Sequence, residues 1–169
     1  MGKIVRLDEL ITLRASLLSA KTIVLATGVY DILHIEHLRF LKKAKAEGDI
    51  LIVGIESDER VRKLKGKGRP INPQNQRAEI AAALELVDYA FILPNNLGTK
   101  KGREALIKAI RPERYAISAN TPFQEEKKRV MEKFGGKLKV VLPHNPEVST
   151  SKIIKAQSRS RRRGKLSNI

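Results

Sequence analysis

Two histidines, His34 and His37, are the side chains whose type and spacing could do chemistry. They follow an apolar run over 22–27 and a glycine, Gly28, and they stand at the start of an amphipathic helical pattern. Backbone N–H groups at a helix start are unpaired, and the dipole there favours negative charge. A glycine lets a phosphate approach the backbone, and imidazoles at i and i+3 share one helix face. The segment therefore predicts a polyphosphate site with two donors directed at it.

A basic loop over 63–72 could contribute further to such a site. Its cations and two glycines precede a predicted helix that carries one more arginine. The candidate ligand-binding cations are Lys65, Lys67 and Arg69 in the loop and Arg77 in the helix. Cations of this kind could bind the phosphates of a nucleotide or of a second substrate. A solvated basic loop is the competing interpretation, because runs of charge are usually exposed.

Three consecutive hydroxyl residues, Ser149, Thr150 and Ser151, precede a predicted short last helix. Hydroxyls at a helix start can cap the helix, and they can also donate hydrogen bonds to phosphate oxygens. A simple cap at Ser149 would explain that residue alone. The segment therefore predicts either a helix cap or a third contact with phosphate.

The three segments together resemble the motifs of the cytidylyltransferase-like nucleotidyltransferases. The first is commonly written G-x-[FY]-D-x-x-H-x-G-H, and this sequence matches it at Gly28, Tyr30, Asp31, His34 and His37. The basic loop resembles the Leu-Lys-Gly…Arg-Pro-(Ile/Val)-Asn-Pro…Arg stretch of the sugar-phosphate adenylyltransferases, in particular the heptose-1-phosphate enzymes. The glycerol-3-phosphate cytidylyltransferases are also similar. Residues 149–151 match the Ser-Thr-(Thr/Ser) motif near the C-terminus of the family.

The resemblance implies transfer of a nucleotidyl group from a nucleoside triphosphate to a phosphorylated sugar or polyol, with release of pyrophosphate. ATP is the first expectation and CTP the second, and Mg²⁺ is expected to accompany the nucleotide, with no metal ligand assigned to the protein. The implied catalytic residues are His34, His37, Lys65 and Arg77. The implied nucleotide-binding residues are Thr27, Gly28, Val29, Tyr30, Asp31, His34, His37, Ser149, Thr150 and Ser151. The implied substrate-binding residues are Asp31, Lys67, Arg69 and Asn120.

The sequence departs from the family pattern at three places. Glu36 stands where the first motif has glycine, and Glu147 stands just before the hydroxyl segment, where relatives usually carry glycine. Two like charges about 4 Å apart repel by about 4 kcal/mol at an effective dielectric near 20. The segment over 118–121 reads Ser-Ala-Asn-Thr, where relatives often carry Gly-Gly and acids. These departures predict that nucleotide binding is weakened or abolished and that the acceptor pocket is changed or lost.

The charge of the chain supports a second interpretation. Its 34 Lys and Arg against 18 Asp and Glu give a formal net charge of +16, and such a field attracts polyanions. Residues 158–169 are rich in arginine, lack acids and are predicted to be a disordered tail. The alternative function is therefore a catalytically impaired nucleotidyltransferase-like protein that binds RNA or the ribosome through this tail.

The elements that must position these residues alternate between short apolar strands and helices. This pattern is typical of an α/β fold with a parallel sheet covered on both faces. Right-handed crossovers predict a doubly wound, Rossmann-like sheet of five strands in the order 3-2-1-4-5. The predicted strands cover 22–27, 49–55, 87–92, 114–118 and 137–142. An N-terminal helix over 8–19 precedes them, in a domain over 1–157 followed by the basic tail.

The cysteine content and the apolar runs of the sequence indicate the expected cellular location of the protein. There is no cysteine, so disulfides and thiolate metal sites are excluded. No apolar run approaches the ~18 residues of a membrane helix, and acids and an arginine interrupt any secretory pattern near the N-terminus. We expect a cytoplasmic protein with no membrane partner, and the resemblance makes a homodimer a further expectation.

Overall fold

The structure of the protein is a computed structural model that describes residues 2–16, 20–143 and 145–156. Six parallel strands form one sheet, in the order β1-β4-β3-β2-β5-β6. The strands are β1 Lys3–Ile4, β2 Ile23–Gly28, β3 Ile50–Ile55, β4 Tyr89–Ile92, β5 Arg114–Ser118 and β6 Lys137–Leu142.

The predicted number of strands was wrong, because the sheet has six and not five. The additional strand, β1, has two exposed residues paired beside β4 at one edge. Two exposed residues have no apolar run or alternation that could reveal a strand. The five predicted strands lie in the predicted relative order, so the reversal of strand order falls at β2, between β3 and β5.

Helices connect the strands, as the alternating pattern of the sequence predicts. They are α1 Leu7–Ser16, α2 Ile35–Lys45, α3 Asp58–Lys65, α4 Gln74–Ala82, α5 Lys100–Ile110, α6 Gln124–Lys133 and α7 over 150–156, with a 3-10 turn at Asn95–Gly98 before α5. The end predicted for the first helix, at residue 19, falls on 17–19, outside the described residues. The predicted tail over 158–169 and its boundary after residue 157 also lie outside them.

The core consists of two apolar layers, one on each face of the sheet. Alternate residues of β2 point to opposite faces, as in any strand. Ile23 and Leu25 join the layer under α1, α5 and α6, whereas Val24 and Ala26 join the layer under α2 and α4. A strand buried on both faces has no polar alternation, which explains why β2 reads as a continuous apolar run.

The helices of the described residues are too short or too polar to cross a membrane.

Candidate active site

The histidine motif lies at the junction between β2 and α2. His34 is the residue just before α2, with an extended backbone of φ −142° and ψ 171°. The rings of His34 and His37 stack with their centroids 3.8 Å apart and 19° between their planes. The backbone N–H of His34 donates a long, 3.4 Å hydrogen bond to His37 Nδ1. This contact leaves Nε2 of His37 as the ring nitrogen that carries the proton in the neutral imidazole.

Burial keeps both imidazoles neutral near pH 7. Desolvation, followed by the neighbouring His34, lowers the pKa of His37 to about 4. Desolvation also lowers the pKa of His34, although the Glu36 carboxylate opposes that shift. His34 Nδ1 is buried and has no hydrogen-bond partner among the described residues. The pair therefore offers two neutral imidazoles, and one ring nitrogen, His34 Nδ1, is left without a hydrogen bond from the described residues.

Tyr30 sets the geometry of the turn that leads into the motif. Its backbone has φ 49°, in the left-handed region that residues with a side chain rarely adopt. Its buried ring lies against His37, at 5.3 Å between centroids, and a Cβ added at Gly28 would meet the same ring at 2.8 Å. The structure thus gives a packing reason for glycine at position 28. The predicted phosphate contact of Gly28 stays a prediction.

Asp31 holds the basic loop against this turn. Its carboxylate is 1% exposed and accepts hydrogen bonds from Arg69 Nε at 2.7 Å and from the backbone N–H groups of Ile71 at 2.8 Å and Asn72 at 2.9 Å. Burial raises the pKa of Asp31, but these donors together hold it below its ordinary value. The Asn72 amide also donates to the Asp31 carbonyl. Asp31 and Arg69, predicted to bind substrate, contact each other.

Arg77 is the most deeply buried cation of the predicted site, at 1% exposure. Its Nε donates to the Asn72 carbonyl at 2.9 Å and its Nη1 to the Val29 carbonyl at 2.6 Å. Its Nη2 donates to Asp58 at 2.7 Å. All three guanidinium nitrogens therefore have protein acceptors, and the geometry gives Arg77 a positioning role between the turn, the loop and α3.

Lys65 and Lys67 lie on the exposed part of the basic loop. Lys65 is the last residue of α3, and Lys67 lies between two glycines with positive φ, Gly66 at 87° and Gly68 at 80°. The side chains of both lysines are exposed, whereas the side chain of Arg69 is 13% exposed. The loop therefore has two parts, an arginine bound to Asp31 and two lysines in contact with solvent.

The hydroxyl segment meets the histidine motif across 118 residues of sequence. Thr150 Oγ1 donates to the carbonyl of Ile32 at 3.3 Å, two residues before His34. Ser149 Oγ accepts from the backbone N–H of Lys152 at 3.3 Å, as a helix cap does. Ser151 is exposed. The structure thus brings all three predicted segments together, since the basic loop contacts the motif at Asp31 and the hydroxyl segment contacts it at Ile32.

Glu36, the residue that departs from the family glycine, is paired within the protein. Its carboxylate accepts from Arg39 Nη1 at 2.6 Å and from the Asn145 amide at 3.2 Å, and its side chain is 12% exposed. The hydrogen bond from Arg39 lowers the pKa of Glu36, so the carboxylate is ionised and partly neutralised by the guanidinium. The second departure, Glu147, is exposed and lies 3.6 Å from Lys152 Nζ.

Asn120 lies in the exposed turn after β5. Its Oδ1 accepts a hydrogen bond from Ser118 Oγ at 2.8 Å. The same hydroxyl lies 3.3 Å from Thr121 Oγ1. The segment over 118–121 thus forms a turn held by its own side chains. The substrate contact predicted for Asn120 stays a prediction.

Two polar residues near β2 were not predicted. The Tyr115 hydroxyl lies 2.7 Å from Thr27 Oγ1, and Lys127 Nζ lies 5.7 Å from the centre of the Tyr115 ring. Burial raises the pKa of Tyr115 to about 12. Tyr115 reads as an apolar residue within a strand, and Lys127 is one of two adjacent lysines in a charged helix, so no pattern marked either residue.

Among the residues that the structure describes, no three His, Cys, Asp or Glu side chains are grouped so that they could hold a metal ion.

Comparison with known proteins gives the family of this chain. The family model described as cytidylyltransferase-like matches residues 25–156, which include the histidine motif, the basic loop and the hydroxyl segment. The chain belongs to the cytidylyltransferase-like family. The expected resemblance is thereby confirmed over most of the sequence.

Relatives in this family include the bifunctional protein HldE from several bacteria. The chain is 39% identical to the protein from Helicobacter hepaticus over 160 residues, which are 95% of this chain and 31% of that protein. It is 42% identical to the protein from Campylobacter fetus over 111 residues, which are 66% of this chain and 22% of that one. The chain thus spans less than a third of the length of these relatives.

Solved structures support the same fold for this chain. A lipopolysaccharide core biosynthesis protein from Thermoplasma volcanium superimposes with a TM-score of 0.60 at 29% identity, covering 74% of this chain and 97% of that one. Pantoate-beta-alanine ligase from Francisella tularensis superimposes with a TM-score of 0.63 at 16% identity, covering 94% of this chain and 77% of that one. At that identity the second structure supports the fold alone.

Proposed function

We propose that this chain transfers an adenylyl group from ATP to the phosphate of a sugar phosphate and releases pyrophosphate. The observation that carries the proposal is the hydrogen bond from Thr150 Oγ1 to the Ile32 carbonyl. It joins the hydroxyl segment to the histidine motif beside the start of α2. Two segments with donors for phosphate, 118 residues apart in the sequence, thereby lie side by side near the carboxyl end of β2, which supports a single shared site.

In the proposed reaction, an oxygen of the acceptor phosphate attacks the α-phosphorus in line. The bond from that phosphorus to the bridging oxygen of the β-phosphate breaks, and pyrophosphate leaves with the electron pair. No protein nucleophile takes part. His34 and His37 donate N–H groups to oxygens of the reacting phosphate, where negative charge is concentrated. Donors that are already positioned stabilise such a transition state without reorganisation.

Mg²⁺ fits this site as a partner of the nucleotide and not of the protein. The donor set of the motif and the hydroxyl segment consists of imidazoles and hydroxyls, and the two carboxylates within the motif, Asp31 and Glu36, already accept from Arg69 and Arg39. The ion would neutralise charge on the triphosphate. We assign it no protein ligand among the residues that the structure describes.

The proposal favours ATP and a sugar phosphate because the basic loop resembles that of the heptose-1-phosphate adenylyltransferases. The identity to HldE proteins supports the same choice. CTP and a polyol phosphate are the next candidates. The exposed Lys65 and Lys67 are the loop cations available to a ligand, because Arg69 and Arg77 are bound within the protein.

The test measures pyrophosphate release from ATP or CTP in the presence of Mg²⁺ and a panel of sugar and polyol phosphates. Calorimetric titration with each nucleotide at two salt concentrations accompanies it, in the wild type and in His34→Ala. We expect saturable binding of ATP that the variant loses, and pyrophosphate release that requires a sugar phosphate. Failure of both nucleotides to bind the wild type would overturn the proposal.

A further inference from the structure

A second group of polar side chains lies at the carboxyl end of β2, on the face of the sheet opposite α2. The Tyr115 hydroxyl is 2.7 Å from Thr27 Oγ1, and Thr27 immediately precedes Gly28. The Lys127 ammonium lies 5.7 Å from the centre of the Tyr115 ring. Lys127 belongs to α6, whose residues Val130 and Met131 pack in the apolar layer opposite that of α2. The ammonium and the two histidines therefore lie on the two sides of the same strand end.

Lys127 has no counter-ion within the described part of the chain. Its half-buried ammonium makes no ion pair and no side-chain hydrogen bond with those residues. The two carboxylates that interact electrostatically with this ammonium are those of Glu56 and Glu126. Glu56 accepts from Arg60 Nε at 2.7 Å, and Glu126 accepts from Arg103 Nε at 3.0 Å and from Arg103 Nη2 at 2.7 Å. Both acids are thus already paired with arginines.

A partly desolvated cation without an anion is unfavourable, because burial removes water without supplying a partner. Burial and the nearby Arg103 accordingly lower the pKa of Lys127 to about 8. An anionic ligand beside the ammonium would remove this penalty. The hydroxyls of Thr27 and Tyr115 would offer further polar contacts at the same place.

We propose that Lys127 binds a phosphate group of a ligand at the crevice between β2 and β5, opposite His34 and His37. In an open parallel sheet, ligands bind beyond the carboxyl ends of the strands where the strand order reverses, and here that point is β2. The inference rests on the proposed function for the source of the phosphate, which is either the nucleotide or the acceptor. The contact itself requires only a phosphate group.

The test compares Lys127→Met with Lys128→Met, a matched control at the adjacent exposed lysine of the same helix. ATP is titrated into each protein by calorimetry. Glucose 1-phosphate is then titrated into protein saturated with α,β-methylene-ATP, an analogue that does not undergo transfer. We expect Lys127→Met to weaken one of these affinities at least about tenfold, as loss of a charged hydrogen bond does. The control is expected to stay within about twofold.

The two titrations distinguish the source of the phosphate. A loss of affinity for ATP assigns Lys127 to the nucleotide, and a loss of affinity for glucose 1-phosphate alone assigns Lys127 to the acceptor. Affinities within about twofold of wild type in both titrations would overturn the inference. Inorganic tripolyphosphate serves as a third probe that needs no base and no transfer. If ATP does not bind, the proposed function fails. Binding of tripolyphosphate that depends on Lys127 would still support this inference, whereas the absence of such Lys127-dependent binding would overturn it.

Thermal unfolding separates a ligand role from a structural one. Removing a desolvated charge is expected to leave the melting temperature of Lys127→Met unchanged or higher. A structural role through the contact with Tyr115 would instead lower it. Lys127→Arg keeps the charge and is expected to recover part of the lost affinity.

Discussion

The basic loop and the histidine motif contain the same kind of residue, a side chain that can donate to phosphate, but the protein uses them differently. Arg69 in the loop donates to Asp31, and Arg77 in α4, just after the loop, donates to Asp58 and to backbone carbonyls. At the motif, His34 keeps a buried nitrogen without a partner in the described chain. Residue type alone thus does not separate ligand-binding donors from structural ones. The hydrogen bonds that the protein itself completes separate them.

The largest expected effect is on folding, from Arg77→Met. The change leaves Asp58 and the carbonyls of Val29 and Asn72 without their donor. Breaking a buried ion pair by removing one partner costs about 3–5 kcal/mol, and we expect a loss of that size in the free energy of unfolding, measured by urea denaturation. The exposed Lys65→Met is the control and is expected to stay within about 0.5 kcal/mol. A stable Arg77→Met protein that no longer binds ATP would show that Arg77 serves the ligand.

The second effect is on the reaction, from His34→Ala. Removing a donor that stabilises transition-state charge lowers the rate by about 100–1000-fold, and we expect that loss in pyrophosphate release. Urea denaturation is expected to show a change below about 1 kcal/mol, because no described residue bonds to His34 Nδ1. An unchanged rate of pyrophosphate release would contradict this difference between the motif and the loop. So would a lower rate that is accompanied by an equally large loss in the free energy of unfolding.

The third effect is a dependence of stability on pH, which arises at the motif. The pKa of His37 is about 4 in the folded protein and near 6.5 in the unfolded chain. As the pH falls, the unfolded chain therefore takes up a proton at position 37 before the folded protein does. The contribution of neutral His37 to the free energy of unfolding is present above pH 6.5 and is lost as the pH falls towards 4. The lowered pKa of His34 acts in the same direction.

Urea denaturation between pH 7 and pH 4.5 checks this prediction. Acidification is expected to reduce the free energy of unfolding of the wild type more than that of His37→Gln, which has no imidazole at position 37. Parallel pH profiles for the two proteins would mean that His37 is not desolvated in solution.

The smallest effect is expected at Glu36. Its carboxylate pairs with Arg39 and Asn145, so little of its charge is left to repel a phosphate. We expect Glu36→Gly to change the affinity for ATP by less than about tenfold, because the Arg39 guanidinium already compensates much of the charge that the change removes. The measurement is calorimetric titration beside Glu36→Gln, which keeps the shape and removes the charge. A gain well above tenfold in both variants would show that the carboxylate repels the nucleotide.

Much of the fold could be predicted because the informative residues are local. Each central strand is a short apolar run, and glycine or proline stands near several helix ends. The strand β1 could not be predicted, since its two exposed residues gain their hydrogen bonds from β4, more than 80 positions away. The position of the histidine pair at the end of β2 followed from the same local pattern.

The partners of the site residues could not be predicted, because most of them are backbone atoms or distant residues. Arg77 donates to the Val29 carbonyl, 48 positions away, and no sequence pattern identifies one carbonyl among many. The left-handed backbone of Tyr30 likewise has no signature in a non-glycine residue. Lys127 was missed because its neighbour, Lys128, has the same side chain and differs from it in exposure.

The hydrogen bond between Thr150 and Ile32 also fixes when the site can form during synthesis. A nascent chain that has been translated through β6 already contains the histidines, the loop and all six strands. It still lacks the donor that joins the hydroxyl segment to the motif. The sheet can therefore assemble while the ribosome is still adding residues, whereas the proposed phosphate site becomes complete afterwards, as one of the last parts of the described chain to form.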